Sequence, residues 1–158
     1  MSGTLVFNRA KGRAAEFVER INANDPTNSV LIWSLWNITA TDATQRDLDD
    51  IAAIEAQGTN AELTSGTNAN YARKTLDNTS GITVTYDDTN DRVDLDCADQ
   101  TWTALGAGTA ITAAISSYDS DSTGGTDSAQ IPVTQHDFAI TPDGSDVTAQ
   151  IAVFFRAS

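Results

Sequence analysis

Few side chains in this chain can do chemistry, so their spacing decides what they can do. His136 is the single histidine, and it stands beside Asp137 at the start of an apolar run in a serine-rich chain. A Ser–His–Asp relay needs those residue types, but such a triad is defined by geometry rather than by inventory. The plain expectation for His136 is a polar loop residue. Cys97, the single cysteine, falls on the apolar face of the alternating run Val93-Asp94-Leu95-Asp96-Cys97. A nucleophilic thiolate needs an electropositive setting, and Asp94, Asp96 and Asp99 supply the reverse, so Cys97 reads as inert packing. Gly106-Ala107-Gly108 is a lone G-x-G with Ile111 where a third glycine would fall, and it reads as a flexible turn. Phosphate-loop, zinc-protease and nucleophile-elbow motifs are absent from the sequence. The expectation is a protein that is not an enzyme and carries no cofactor.

The acidic loops are the stronger chemical lead. Asp119-Ser120-Asp121-Ser122-Thr123-Gly124 copies the first six positions of a calcium loop, and Asp127 falls at the ninth. The twelfth position is Gln130, which lacks the bidentate carboxylate such a loop requires. Asp119, Asp121 and Asp127 are the residues a cation would take, and a solvated turn without metal is the expectation. Asp87, Asp88, Asp91, Asp94 and Asp96 make a second cluster, relieved by solvation and in part by Arg92. Trp33, Trp36 and Trp102, with Tyr71, Tyr86 and Tyr118, could line a carbohydrate groove; such residues more often form core or subunit interface.

The elements that would position these residues follow from periodicity. Residues 9–22 read as an amphipathic helix, with Ala10, Ala14, Phe17, Val18 and Ile21 on one face and Arg9, Arg13, Glu16 and Arg20 in a separate stripe. Pro26 stops it. Residues 29–38 read as a strand that is apolar on both faces, hence central or covered by a neighbouring subunit. Trp33 and Trp36 are three apart and point to opposite sides, so one needs a cover other than the principal core, and a second protomer is the economical candidate. Residues 42–57 read as a second helix, with Asp42 as N-cap and Gly58 as C-cap. A hairpin joins 82–86 to 93–97, and further strands are expected at 100–104, 111–118, 129–133, 137–141 and 147–156. The last shows the clearest alternation: Val147, Ala149, Ile151, Val153 and Phe155. The predicted fold is α+β, mainly antiparallel β (a sandwich or small jelly-roll-like barrel), with an N-terminal helix and one further helix. One domain covers 1–158, in which 1–28 form an arm and helix packed on or extending from the β body.

Charge narrows the partners. The chain has a formal net charge of −13, with 22 acids against 9 bases. Arg9, Lys11, Arg13 and Arg20 outnumber Glu16 and Glu19 in the first 21 residues, so a weakly basic segment leads a strongly acidic body. That body repels phosphates and argues against nucleic acid as partner. Neither a basic-then-apolar leader nor an apolar run of roughly 18–20 residues is present, so membrane is not expected as a partner and synthesis is expected in a cytoplasm. The arginine stripe suits charge-assisted bonds to an acidic partner; pairing inside the chain is the alternative.

Several strings are also familiar: Ala10-Lys11-Gly12-Arg13-Ala14-Ala15-Glu16, Asn70-Tyr71-Ala72-Arg73-Lys74-Thr75-Leu76, Asp87 to Asp96, Asp99-Gln100-Thr101-Trp102, His136-Asp137-Phe138-Ala139 and Thr148-Ala149-Gln150-Ile151. Together they resemble a group of small proteins encoded near the virion genes of tailed bacteriophages, over most of the chain. The resemblance implies a capsid decoration (cement) protein: a virion component made in the host cytoplasm that binds the outer surface of the major capsid protein. It also implies a homo-oligomer, most simply a trimer. Arg9, Lys11, Arg13, Arg20, Trp33 and Trp36 are then the candidates for capsid or subunit contact. A head-fibre, neck, tail or receptor-binding subunit recognising host glycans is the alternative.

Overall fold

The computed structural model describes residues 4–158. Its centre is β2 (Val30–Asn37), whose first seven residues are all buried. A strand apolar on both faces must sit in the middle of something, and β2 pairs on both edges. On one side it runs antiparallel to β8 (Ile111–Asp119) from Val30↔Asp119 to Trp36↔Ala113. Its other side is shared by two short strands, β3 (Ala61–Glu62) and β4 (Lys74–Leu76). Beyond β8 lies β9 (Ile131–Ile140), and β1 (Thr4–Val6) closes that edge. The expected strands 129–133 and 137–141 are thus one strand. Irregularities in the β8–β9 ladder mark it, one of them beside Pro132, which has no N–H to give.

Two smaller sheets complete the β content. β5 (Thr83–Asp87) and β6 (Arg92–Asp96) form the expected hairpin, and β11 (Phe155–Ala157) adds to β6. β7 (Gln100–Trp102) pairs with β10 (Val147–Ala149). The predicted continuous strand 147–156 is therefore broken. Its two ends serve different sheets, and residues 150–154 cross between them.

The first helix, α1 (Ala14–Ala23), starts five residues later than the periodicity suggests. Residues 8–13 are turns, and Gly12 takes φ +75°, a conformation a helix interior does not contain. Arg9 and Arg13 consequently do not extend a helical stripe. α1 buries Ala14, Phe17, Val18 and Ile21, and the Phe17 ring stacks on Tyr118 at 4.6 Å. The left-handed Asn24 ends it, its N–H reaching back to the carbonyls of Arg20 and Ile21.

The helix expected over 42–57 is two short ones, α2 (Asp42–Arg46) and α3 (Ile51–Glu55). Thr41, not Asp42, caps α2, and Asp50 caps α3 by accepting the Ala53 N–H at 2.8 Å. Asp favours caps over helix interiors. The N–H groups of Ile51 and Ala52 are drawn instead to the carbonyls of Gln130 and Asp127.

The two faces of the central sheet are buried separately. Leu31, Trp33 and Leu35 join the larger core with α1 and residues of the small sheets, among them Leu95, Trp102, Val147 and Phe154. On the reverse face, Trp36 and Ile115 pack with Leu5, Phe7, Ile51 and Ile54. The result is the expected class, α+β and mostly antiparallel β. No helix among the described residues is long and apolar enough to cross a membrane.

Candidate functional site

A cavity of about 440 Å³ lies beneath the crossing segment 150–154. Its floor is the central sheet at Trp33, Ala114, His136 and Phe138; its roof and rim are Ala149 to Phe154. The crossing is held at few points. The Ile151 N–H donates to Asp99 Oδ1 at 2.7 Å and the Phe154 N–H to the Leu95 carbonyl at 3.0 Å. Phe154 meets Trp33 edge-on, with ring centroids 5.7 Å apart.

His136 lies inside β9, 6% exposed, not in a loop. Alternation along the strand turns Asp137 to the exposed side, so the two do not form a catalytic pair. The imidazole's Nδ1 lies 3.2 Å from Thr4 Oγ1, and its Nε2 lies 2.9 Å from Thr134 Oγ1. Thr134 is itself tied to Ser116 Oγ at 2.6 Å. Burial depresses the His136 pKa to about 4, so the ring is neutral at pH 7. Its nitrogens serve two hydroxyls and its ring lies 5.6 Å from that of Trp33. This is a structural histidine on a cavity floor.

Cys97 is buried in the larger core, and its thiol is pushed up to about 12, first by burial and then by Asp96 and Asp99. It stays protonated at neutral pH. The Gly106-Ala107-Gly108 stretch is not a loose turn. The Gly106 N–H bonds the Ala69 carbonyl at 2.8 Å, and a Cβ on Gly108 would lie 1.9 Å from the Thr67 carbonyl oxygen. Glycine is required there by close backbone approach.

The calcium-like loop is not assembled as a cation site. Asp119 Oδ1 accepts the Asp121 N–H at 3.0 Å, and Asp121 accepts the N–H and hydroxyl of Thr123. Asp127 is drawn away to Arg73. Among the described residues no group of three His, Cys, Asp or Glu side chains is placed to hold a metal ion. The Arg73 cluster has no counterpart in the sequence pattern. Its guanidinium bridges Glu62 and Asp127, and Tyr71 donates to Glu62 Oε1 at 2.7 Å while accepting the Leu35 N–H at 3.1 Å. Burial and the Glu62 charge raise the Tyr71 pKa. These partners are scattered over residues 35–127, and no local pattern announces them.

The six contact candidates divide. Trp33 and Trp36 are 2% and 0% exposed in a single chain, so neither needs a neighbouring protomer as cover. The reading that one of them faces a partner is corrected by α3 and the N-terminal strand, which seal Trp36. The four basic residues are exposed. Arg9 donates to the Asp49 carbonyl at 2.9 Å, and Lys11 to Asn8 Oδ1 at 2.8 Å. Arg13 and Arg20 both reach Glu16, and these bonds hold its carboxyl below the usual range. In the second acidic cluster, Asp94 pairs with Arg156 at 2.6 Å as well as with Arg92, and Asp87 pairs with Arg92 at 3.1 Å.

Fold and site together define a mainly antiparallel α+β protein with a cavity free of charged lining residues among those described, and a strongly acidic composition. No family model, curated protein or solved structure matches the chain.

Proposed function

We propose that this chain is a structural subunit of a tailed-phage virion, a decoration protein that binds the outer surface of the major capsid protein and stabilises the head. The observation that carries the reading is how the reactive side chains are used. The His136 nitrogens are engaged by threonine hydroxyls, the Cys97 thiol is sealed in the core, and Arg73 is spent between two carboxylates. That is the chemistry of a scaffold. The sequence strings that resemble virion proteins supply the class of scaffold. An acidic exterior suits a particle surface, because like-charged virions repel one another.

In this reading the protein acts as a homo-oligomer, most simply a trimer, bridging neighbouring capsomers. Apolar area at the contact stabilises it by about 25 cal/mol per Å², less the costs of association. The exposed Arg9, Lys11, Arg13 and Arg20 are its polar contacts. Native mass spectrometry, with and without purified empty capsids, tests this. The expected result is a discrete oligomer and saturable occupancy of the heads. A monomer that fails to co-sediment with expanded heads of its own phage overturns it. Glycan-dependent retention without head binding would favour a receptor-binding subunit instead.

A further inference from the structure

We infer that the cavity beneath residues 150–154 is a binding site for a small, uncharged, largely apolar molecule with a ring or short hydrocarbon body. This stands apart from the virion reading and does not need it.

Three observations point the same way. The first is chemical. The cavity of about 440 Å³ lies within the size range of small-molecule sites. Trp33, Phe138, Ile151, Val153 and Phe154 are the large apolar side chains among its lining. In a chain of net charge −13, no Asp, Glu, Lys or Arg lines it among the described residues. Its one titratable wall residue, His136, already satisfies both ring nitrogens with Thr4 and Thr134. The walls therefore offer ring faces and aliphatic surface, with nothing to neutralise an ionic ligand. Burying an unpaired ionic group is costly.

The second observation is conformational. Val147 to Phe155 alternates as a strand should, yet the chain leaves the ladder after Ala149 and rejoins one only at Phe155. Local strand pattern is overruled where the crossing roofs the cavity, and such departures mark functional or strained places. The third is exposure. Val153, at the rim, is one of three large apolar residues left substantially exposed among the described residues, at 38%. Gln150, also exposed, brings an amide to the same rim and makes no side-chain bond within the described protein. An apolar body with one polar edge is the ligand this rim would orient.

The test uses two fluorescent probes with one skeleton: neutral N-phenylnaphthylamine and its sulfonated counterpart, anilinonaphthalene sulfonate. Titration of the full chain should show saturable binding of the neutral probe at one site, with the sulfonate weaker by about tenfold or more. Trp33 should transfer energy to the bound probe, and Trp33→Phe should lower that transfer more than Trp36→Phe, because Trp36 lies on the other face of the sheet. Ala152→Trp and Val153→Asp replace exposed rim residues, so the fold should persist; each should weaken the neutral probe by about tenfold. The proposal is overturned if the neutral probe does not saturate. Equal binding of the two probes overturns it, as does binding that both rim variants leave unchanged while their melting curves match the parent.

Discussion

Trp33 and Trp36 leave the same strand three residues apart, and the two faces of the sheet treat them differently. Trp36 is sealed completely: its indole N–H donates to Ser34 Oγ at 2.8 Å, and Phe7, Ile51 and Ile54 close over it. The polar margin of that face is an amide chain in which Gln45 donates to Gln135 at 3.2 Å and Asn60 donates to Gln45 at 3.0 Å. Trp33 is equally buried but stands beside a cavity, under a segment tied down at few points. One face is built by short helices whose caps and amides fix them against the sheet. The other is built by α1 and two small sheets, and the crossing that joins the sheets does not fill the space beneath it. Closed packing and open volume lie on opposite sides of one strand.

The largest effect should come from the segment that serves both faces. Leu5 and Phe7 fill the sealed side, while Phe17, Val18 and Ile21 fill the other. Each large truncation in a core costs about 2–5 kcal/mol, against a typical domain stability of about 5–15 kcal/mol. Deleting residues 1–21 should therefore abolish cooperative unfolding in circular dichroism melts. A folded truncation would mean that these side chains are an appendage and the two-face description is wrong.

Next is the contrast itself. Trp36→Ala opens a void in closed packing and should cost about 4 kcal/mol in urea denaturation. Trp33→Ala enlarges a space that already exists, so its cost should be about 1–2 kcal/mol smaller. Equal losses would erase the distinction between the faces.

The faces should also differ in their response to acid. His136, on the cavity side, has a folded pKa of about 4 against an ordinary value of 6.5. Between those values the unfolded chain binds the extra proton, so stability is complete above about pH 6.5 and falls as pH drops toward 4. The loss from this residue should approach about 3 kcal/mol, and His136→Gln should remove that part of the slope. Parallel stability–pH curves for the two proteins would show that the imidazole is not held neutral. The amide chain across the sheet has no titrating member. Gln45→Ala should cost about 2 kcal/mol by leaving Asn60 and Gln135 unpaired, and by the same amount at pH 5 and pH 8.

How much of this was legible depends on distance along the chain. β2, the β5–β6 hairpin and β8 could be read because alternation and apolar content are local properties. Alternation alone places the two tryptophans on opposite faces, but the second protomer expected from sequence is not their cover. That cover is α3 and Phe7, and two short capped helices look like one longer helix when only periodicity is counted. β1, β3 and β4 have two or three residues each, too few for any pattern to register. The cavity was invisible for a related reason. The 147–156 alternation is real, but which sheet each end joins is decided by residues 93–102. From sequence His136 reads as a loop residue because its partners, Thr4 and Thr134, are chosen by the β1–β9 and β8–β9 pairings rather than by its neighbours in sequence.

The smallest effect on stability should come from Arg13 and Arg20, at the N-cap and in the last turn of α1, and there the comparison turns from core to surface. Arg13 and Arg20 are about half exposed and share the single carboxylate of Glu16, an arrangement that solvent screens. The Arg13 guanidinium also lies 4.7 Å from the Phe17 ring. The double variant Arg13→Ala, Arg20→Ala should leave the melting curve nearly where it was, and raising the salt concentration should make the remaining difference smaller still. Head binding should behave in the opposite way. If these side chains dock on acidic groups of a shell, the double variant should co-sediment far less with capsids while remaining as stable as the parent. The salt dependence of parental binding should shrink with it, since each lost charge removes one screened contact. A variant that binds heads as the parent does would take α1 out of the interface and leave its arginines as solvating groups around Glu16.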